Sequence, residues 1–392
     1  MKEKEFIPIT RPLFGKEEIK EVGRVIKSGW VTQGPEVEAF ENDFSDYVGS
    51  KYTVAVSSCT AALHLALKAV GVRENNEVIT VSHSYIATAN SIRYCSAIPV
   101  FVDIEPETYN IDPNLIEEAI SNKTKAILCV HQMGMPCDLN AILKIAKQYS
   151  LPVIEDAACA AGSEIKLKNK WEKIGKPHGD IACFSFHPRK LITTGDGGMI
   201  TTNSKSISEK LRLWRQHGMS ISDKKRHSSK TIVFEDHLEL GYNYRLTDIQ
   251  AAVGRVQLKK LSEIITRRRK LAKNYFDLFS NCNSIILPHE PIWAKTNWQS
   301  FCIRLPKTVK QKTIMELLLD NGIATRRGVM CTHLEPAYIN VPWYARGKKD
   351  RGESLFNSVD ARNNTILLPL FPQMNKHIQQ NVFEIISRFI EG

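Results

Sequence analysis

The stretch IACFSFHPRKLITTGDGGMITT (181–202) decides the fold. An apolar run ends at Phe186, and a polar turn then carries Pro188 and Lys190. Gly195, Gly197 and Gly198 permit sharp bends before a second β-rich run, GMITT (198–202). Chemically capable residues just after a strand suit an open α/β sheet, whose ligands gather at the carboxyl ends of its strands.

Working outward, TVAV (53–56), EVITV (77–81), IPVFVDI (98–104), KAILCV (125–130) and LPVIEDA (151–157) are further strand candidates. Helix-like segments at 60–71, 85–96, 112–120 and 138–149 lie between them, the first with Leu63, Leu67 and Val70 at helical spacing. This alternation predicts an α/β fold with a mostly parallel central sheet covered on both faces. From Thr247 to about Phe279 the pattern is one long helix, with Asp248 in the first turn where a negative charge suits the helix dipole. Beyond it, SFCIRL (300–305), TIMELLLDNG (313–322) and a last helix near 377–390 predict a smaller C-terminal α+β domain. A chain of 392 residues is expected to form two domains, here 1–258 and 259–392.

The formal net charge of +11 raises the question of nucleic acid. The densest basic cluster, Arg267 to Lys270, falls on a helical stretch without a nucleic-acid motif and reads as a solvated face. The nine cysteines include no C-x-x-C pair, which favours reduced, mostly buried thiols over disulfides or a zinc site. The start MKEKEFIPITRP has no apolar core of a secretory signal, and no run is long enough to span a membrane, so a cytoplasmic protein is expected.

Four elements carry chemistry. Lys190 is a strand-end lysine able to attack an aldehyde when its amine is deprotonated. Asp156 closes the apolar run LPVIED, where a carboxylate is costly unless it meets a cation such as a pyridinium nitrogen. Ser57-Ser58-Cys59-Thr60 runs from a strand into an Ala-rich helix, an arrangement that binds anions, and Ser185 could add a hydroxyl. Tyr85, after strand 77–81, could stack on a flat ring. Taken singly, these are also a surface lysine, a helix cap, ordinary N-capping and a core or surface aromatic.

Together they resemble the fold type I nucleotide-sugar aminotransferases of the DegT/StrS type. The resemblance runs from SGWVTQGPEVEAFE (28–41) through SSCTAALHLAL, ATAN, PVFVDIEPETYNIDP, VIEDAA, CFSFHPRKLITTGDGG, GYNYRLTDIQAAVG and HLEPAY to LPLFPQM. It implies pyridoxal 5′-phosphate (PLP) as cofactor, with Lys190 carrying it as a Schiff base and moving the proton, and Asp156 pairing the ring nitrogen. It further implies Tyr85 on the ring face, and Cys59 (through its backbone), Thr60 and Ser185 around the phosphate. Asn243 would reach the phosphate from the neighbouring subunit of a homodimer. Trp30, Gln33, Arg326 and His333 would border the substrate, with Arg327 beside them. The implied reaction passes an amino group, by resemblance from L-glutamate, to a keto group of a nucleotide-linked deoxysugar; no nucleic acid, membrane or metal is implied. Two departures stand out: Cys159 lies where relatives often have Gln or His near the cofactor's phenolic oxygen, and Cys59 where many have Gly. Related sugar dehydratases replace the lysine with His, so Lys190 favours aminotransfer. Dehydration on the same cofactor, or a regulatory or nucleic-acid-binding protein that keeps the fold, are the alternatives.

Overall fold

The structure, a computed structural model, describes residues 6–221, 226, 231–232, 234–346 and 355–391. The charged start Met1–Glu5 read above lies outside them. The large sheet holds β1 (Tyr52–Val56), β2 (Glu77–Val81), β3 (Ile98–Val102), β4 (Thr124–Val130) and β5 (Val153–Asp156). A side hairpin follows, β6 (Glu164–Leu167) with β7 (Lys170–Lys173), and then β8 (Ile181–Ser185) and β9 (Gly198–Thr202) rejoin the large sheet.

Alternating apolar residues give this sheet two buried faces. Ile127, Cys129, Val153 and Phe184 enter one core, while Ala126, Leu128, Ile154 and Cys183 enter the other. The strand order is β1-β9-β8-β5-β4-β2-β3, and pairing is parallel except where β9 meets β1 and β8. β9 is reversed because glycine turns, rather than a crossover helix, connect it to β8.

Helix Asp248–Phe279 starts on a capping box formed by Thr247 and Gln250. Asp248 also accepts the backbone N–H groups of Gly34, Glu36 and Val37, at 2.8 to 3.1 Å, and so fixes the start of helix Pro35–Val48. The helix's first half, with Leu261, Ile264 and Ile265, packs under the large sheet. Its second half, with Leu271, Tyr275 and Phe279, enters a separate core shared with Phe301, Ile366, Val382 and Ile386. There β11 (Phe301–Arg304), β12 (Arg326–Arg327) and β14 (Thr365–Leu368) form a small antiparallel sheet. Between β12 and β14 the chain returns to the large sheet, where β13 (Tyr344–Ala345) lies parallel to β3 at its edge. β10 (Ala294–Lys295) pairs with β6. Among the described residues no helix is long and apolar enough to cross a membrane.

Candidate active site

The carboxyl ends of the parallel strands open into a cavity of about 560 Å³. β1 delivers Ser58, Cys59 and Thr60; β2 delivers Ser84 and Tyr85; β4 delivers His131 and Gln132; β5 delivers Asp156 and Cys159; and β8 delivers Ser185 and Lys190. Arg326 joins them from β12. The strand-end expectation therefore brings Lys190, Asp156, Cys59, Thr60, Tyr85, Cys159, Ser185 and Arg326 to one space.

Ser58 caps helix Cys59–Ala69 by accepting from Ala61 N at 3.1 Å. The first N–H groups of a helix have no acceptor within it, and here they belong to residues of the cavity wall. Gly198, at the start of β9, is needed for this approach: a Cβ there would stand 2.6 Å from the Ser58 carbonyl and 2.8 Å from Cys59 N. These are backbone atoms, so no side-chain adjustment makes room.

Asp156 is buried. Its Oδ2 accepts from the Thr88 hydroxyl at 2.8 Å and its Oδ1 from Ala158 N at 3.2 Å. Burial pushes its carboxyl up from the ordinary value, against the Thr88 hydroxyl and Ala158 N–H, which favour the ionised form. Lys190 Nζ donates to Cys159 Sγ at 3.0 Å. Burial opposes the Lys190 ammonium, but Cys159, with help from Cys59 and Asp156, outweighs it, so the lysine is pushed up. Burial, and then Asp156, raise the Cys59 thiol well above its usual range, which suits a contribution through its backbone. Tyr85 is 65% exposed on the cavity side, free to cover a ring.

Four residues expected at the site lie outside this cavity. The His333 ring Nδ1 lies 2.6 Å from Ser82 Oγ, a contact that pins it to the turn after β2. Trp30 Nε1 donates to the Gln33 carbonyl, Gln33 Nε2 donates to Gln216 Oε1 at 3.2 Å, and Gln216 pairs through its backbone with Asn243. Trp30, Gln33 and Asn243 thus form their own group. Asn243 is exposed between Tyr242 and Tyr244, whose rings stack 5.0 Å apart on the chain's own side. Lys68 Nζ donates to Tyr242 OH at 2.7 Å, and the His64 ring contacts both tyrosines.

Residues not singled out from the sequence also line the cavity. His131 follows directly on strand 124–130, so the strand-end rule could have found it. It is fully buried: Nδ1 accepts from Cys137 N at 3.0 Å, so Nε2–H donates to Glu155, also at 3.0 Å. Gln299 and Ser300 arrive from a distant loop and carry no local signal.

The profile of the DegT/DnrJ/EryC1/StrS aminotransferase family matches residues 12–387. An uncharacterized protein of Methanocaldococcus jannaschii is 41% identical over 389 residues, which cover 98% of each chain. Spore coat polysaccharide biosynthesis protein SpsC of Bacillus subtilis is 36% identical, over 100% of this chain and 99% of that one. Among solved structures, Helicobacter pylori PseC, an aminotransferase involved in the biosynthesis of pseudoaminic acid, superposes with a TM-score of 0.88. That match is 28% identical and covers 99% of this chain and 100% of that one.

Proposed function

The chain belongs to the DegT/DnrJ/EryC1/StrS aminotransferase family of PLP-dependent sugar aminotransferases, and on that premise we propose that it moves the amino group of L-glutamate onto the keto carbon of a nucleotide-linked deoxysugar. The observation that carries this reading is the shared cavity: an amine, Lys190, and a buried carboxylate, Asp156, face a space whose rim holds Arg326. Arg327 is paired with Glu335 at 3.2 Å, whereas Arg326 has no ion-pair partner among the described residues. Arg326 is the cation we assign to the substrate's phosphates.

The residues present fit PLP. A buried carboxylate answers a ring nitrogen, and the Cys59–Thr60 helix start answers a phosphate. When bound, PLP supplies an aldehyde carbon that exchanges amino groups and a ring that withdraws electrons from the neighbouring carbon. In this assignment Lys190 Nζ would hold the cofactor through its aldehyde carbon and would be the amine that moves a proton at the reacting carbon. Asp156 would pair with the ring nitrogen and favour its positive charge. Tyr85 would cover one ring face, and Cys59 N, Thr60 and Ser185 would hold the phosphate. Cys159 Sγ contacts Lys190 Nζ and is the group nearest that amine by hydrogen bond.

We further assign the phosphate's remaining donor to Asn243 of a second copy, in a homodimer with shared sites. The stacked tyrosines support this, because alternate side chains of an extended chain face opposite ways and leave Asn243 pointing outward. We propose residues 1–258 as the cofactor-binding domain and 259–392 as the smaller one. The nine cysteines are all free thiols, which supports work in the reducing cytoplasm.

The test is to incubate the PLP-loaded protein with glutamate and a panel of keto-sugar nucleotides and weigh the products. Amination of a nucleotide-linked keto-sugar is expected. Amination of only the free sugars would refute the nucleotide linkage, and a dehydrated product would replace transfer by dehydration.

A further inference from the structure

The ATAN segment (87–90) has no role in the assignments above, yet it places a buried hydroxyl in the cavity wall. Thr88 and Ser84 are each 2% exposed, beside Asp156 at 4%. Thr88 Oγ1 lies 2.8 Å from Asp156 Oδ2, and Ser84 Oγ lies 2.7 Å from Thr88 Oγ1. An ionised carboxylate only accepts hydrogen bonds, so the single Thr88 proton points at Asp156. Thr88 is then left as the acceptor of the Ser84 proton. The relay has one direction, from Ser84 to Thr88 to Asp156, and each link polarises the next.

The relay also fixes rotation. Asp156 Oδ1 is held by Ala158 N, two residues ahead, while Oδ2 is held by a side chain 68 residues back in sequence. Two donors on separate segments leave the carboxylate plane one orientation. Ser84 is the immediate neighbour of Tyr85, so the same turn supplies the ring cover and the support of the carboxylate.

We propose that Thr88, backed by Ser84, is the positioning residue that holds the Asp156 carboxylate in the orientation the cofactor's ring nitrogen requires. This rests on the assignment of Asp156 to that nitrogen. Thr88→Val keeps the shape of the side chain and removes only the donor, leaving a buried carboxylate oxygen short of a partner.

The test measures the PLP dissociation constant of cofactor-free protein by fluorescence titration, together with kcat and KM for glutamate. Thr88→Val is expected to weaken PLP binding about tenfold, the scale of one hydrogen bond to a charged group, and to lower kcat while KM for glutamate holds. Thr88→Ser is expected to restore both to within about threefold, because the hydroxyl returns. Wild-type PLP affinity in Thr88→Val overturns the proposal, as does a Thr88→Ser protein no better than Thr88→Val, which would make shape the cause. Should Thr88→Val not fold, Ser84→Ala removes the outer link alone and is expected to weaken PLP binding about threefold; unchanged affinity there also overturns the proposal. Asp156→Asn, measured alongside, separates the two levels. If it loses affinity while Thr88→Val does not, only the relay fails; if it too binds PLP like the parent, the assignment of Asp156 fails as well.

Discussion

In the cavity wall, Asp156 points inward and both its oxygens are taken by its own chain. On the Tyr242–Arg245 turn, Asn243 points outward, and it is its neighbours that the chain holds: Tyr242 by Lys68, Tyr244 by His64, and the Tyr244 carbonyl by Ser57 N at 2.9 Å. The first region is a finished piece of chemistry within one chain. The second holds the residues on either side of Asn243 and leaves the Asn243 side chain exposed. The Ser57 contact ties this turn to the loop that leads into helix Cys59–Ala69 at the cavity wall.

That contrast can be broken in three places. The largest effect is expected at Lys190, wholly inside one chain. Lys190→Ala should remove the cofactor absorbance and all measurable transfer, and borohydride should fix the cofactor mass on the Lys190 peptide of the parent protein. A label on another lysine would end the assignment.

The second test asks whether the two regions meet across a dimer. Lys190→Ala and Asn243→Asp are each expected to be nearly inactive, the latter through repulsion of phosphate. Mixed one to one, they should recover about a quarter of parent activity, since half the dimers are hybrids with one intact site of two. Confirmed hybrids without activity would confine Asn243 to its own chain's turn.

The smallest effect separates the regions by acid. Burial holds the His83 imidazole, at the end of β2, down at about 3, and that of His64, under the turn, down at about 4. Both folded values lie below the unfolded one of about 6.5, so the unfolded chain binds protons that the folded chain refuses. Stability is therefore present above about pH 6.5 and is lost as pH falls toward the folded values. His83→Gln should flatten denaturant-measured stability between about pH 6 and pH 5 by about 1.4 kcal/mol per pH unit. His64→Gln should act the same way over a narrower window. An unchanged slope in His83→Gln would mean that its ring takes up a proton without loss of fold.

Much of this molecule was legible because its chemistry sits where periodicity ends. The β-branched runs ending near Val56, Val81, Asp156 and Phe186 marked strand ends, and Tyr85, Asp156 and Lys190 follow from them directly. What stayed hidden depends on contacts between distant segments. Thr88 looks like any helix threonine until Asp156 is folded against it. Glu155 looks like a misplaced charge in an apolar run until His131, His178 N and Gly179 N surround it. His333, expected at the substrate, also has its ring against Ser82 Oγ at 2.6 Å, a contact between distant segments that the local sequence does not show. The two-residue β13 was equally invisible, since so short a pairing leaves no alternation to read.

The long helix Asp248–Phe279 has a consequence for the order of synthesis. Its first half meets partners already made, because the core under the large sheet draws chiefly on earlier residues. Leu271, Tyr275 and Phe279 meet part of their core at Trp298, Phe301 and Ile303, about 20 to 30 residues later, and the rest only at Val382 and Ile386, about a hundred residues later. At about 5–20 residues per second, the last side of this core stays open on the ribosome for about 5 to 20 seconds. A chain cut before Val382 lacks that side of the core and is expected to aggregate more readily than the full chain.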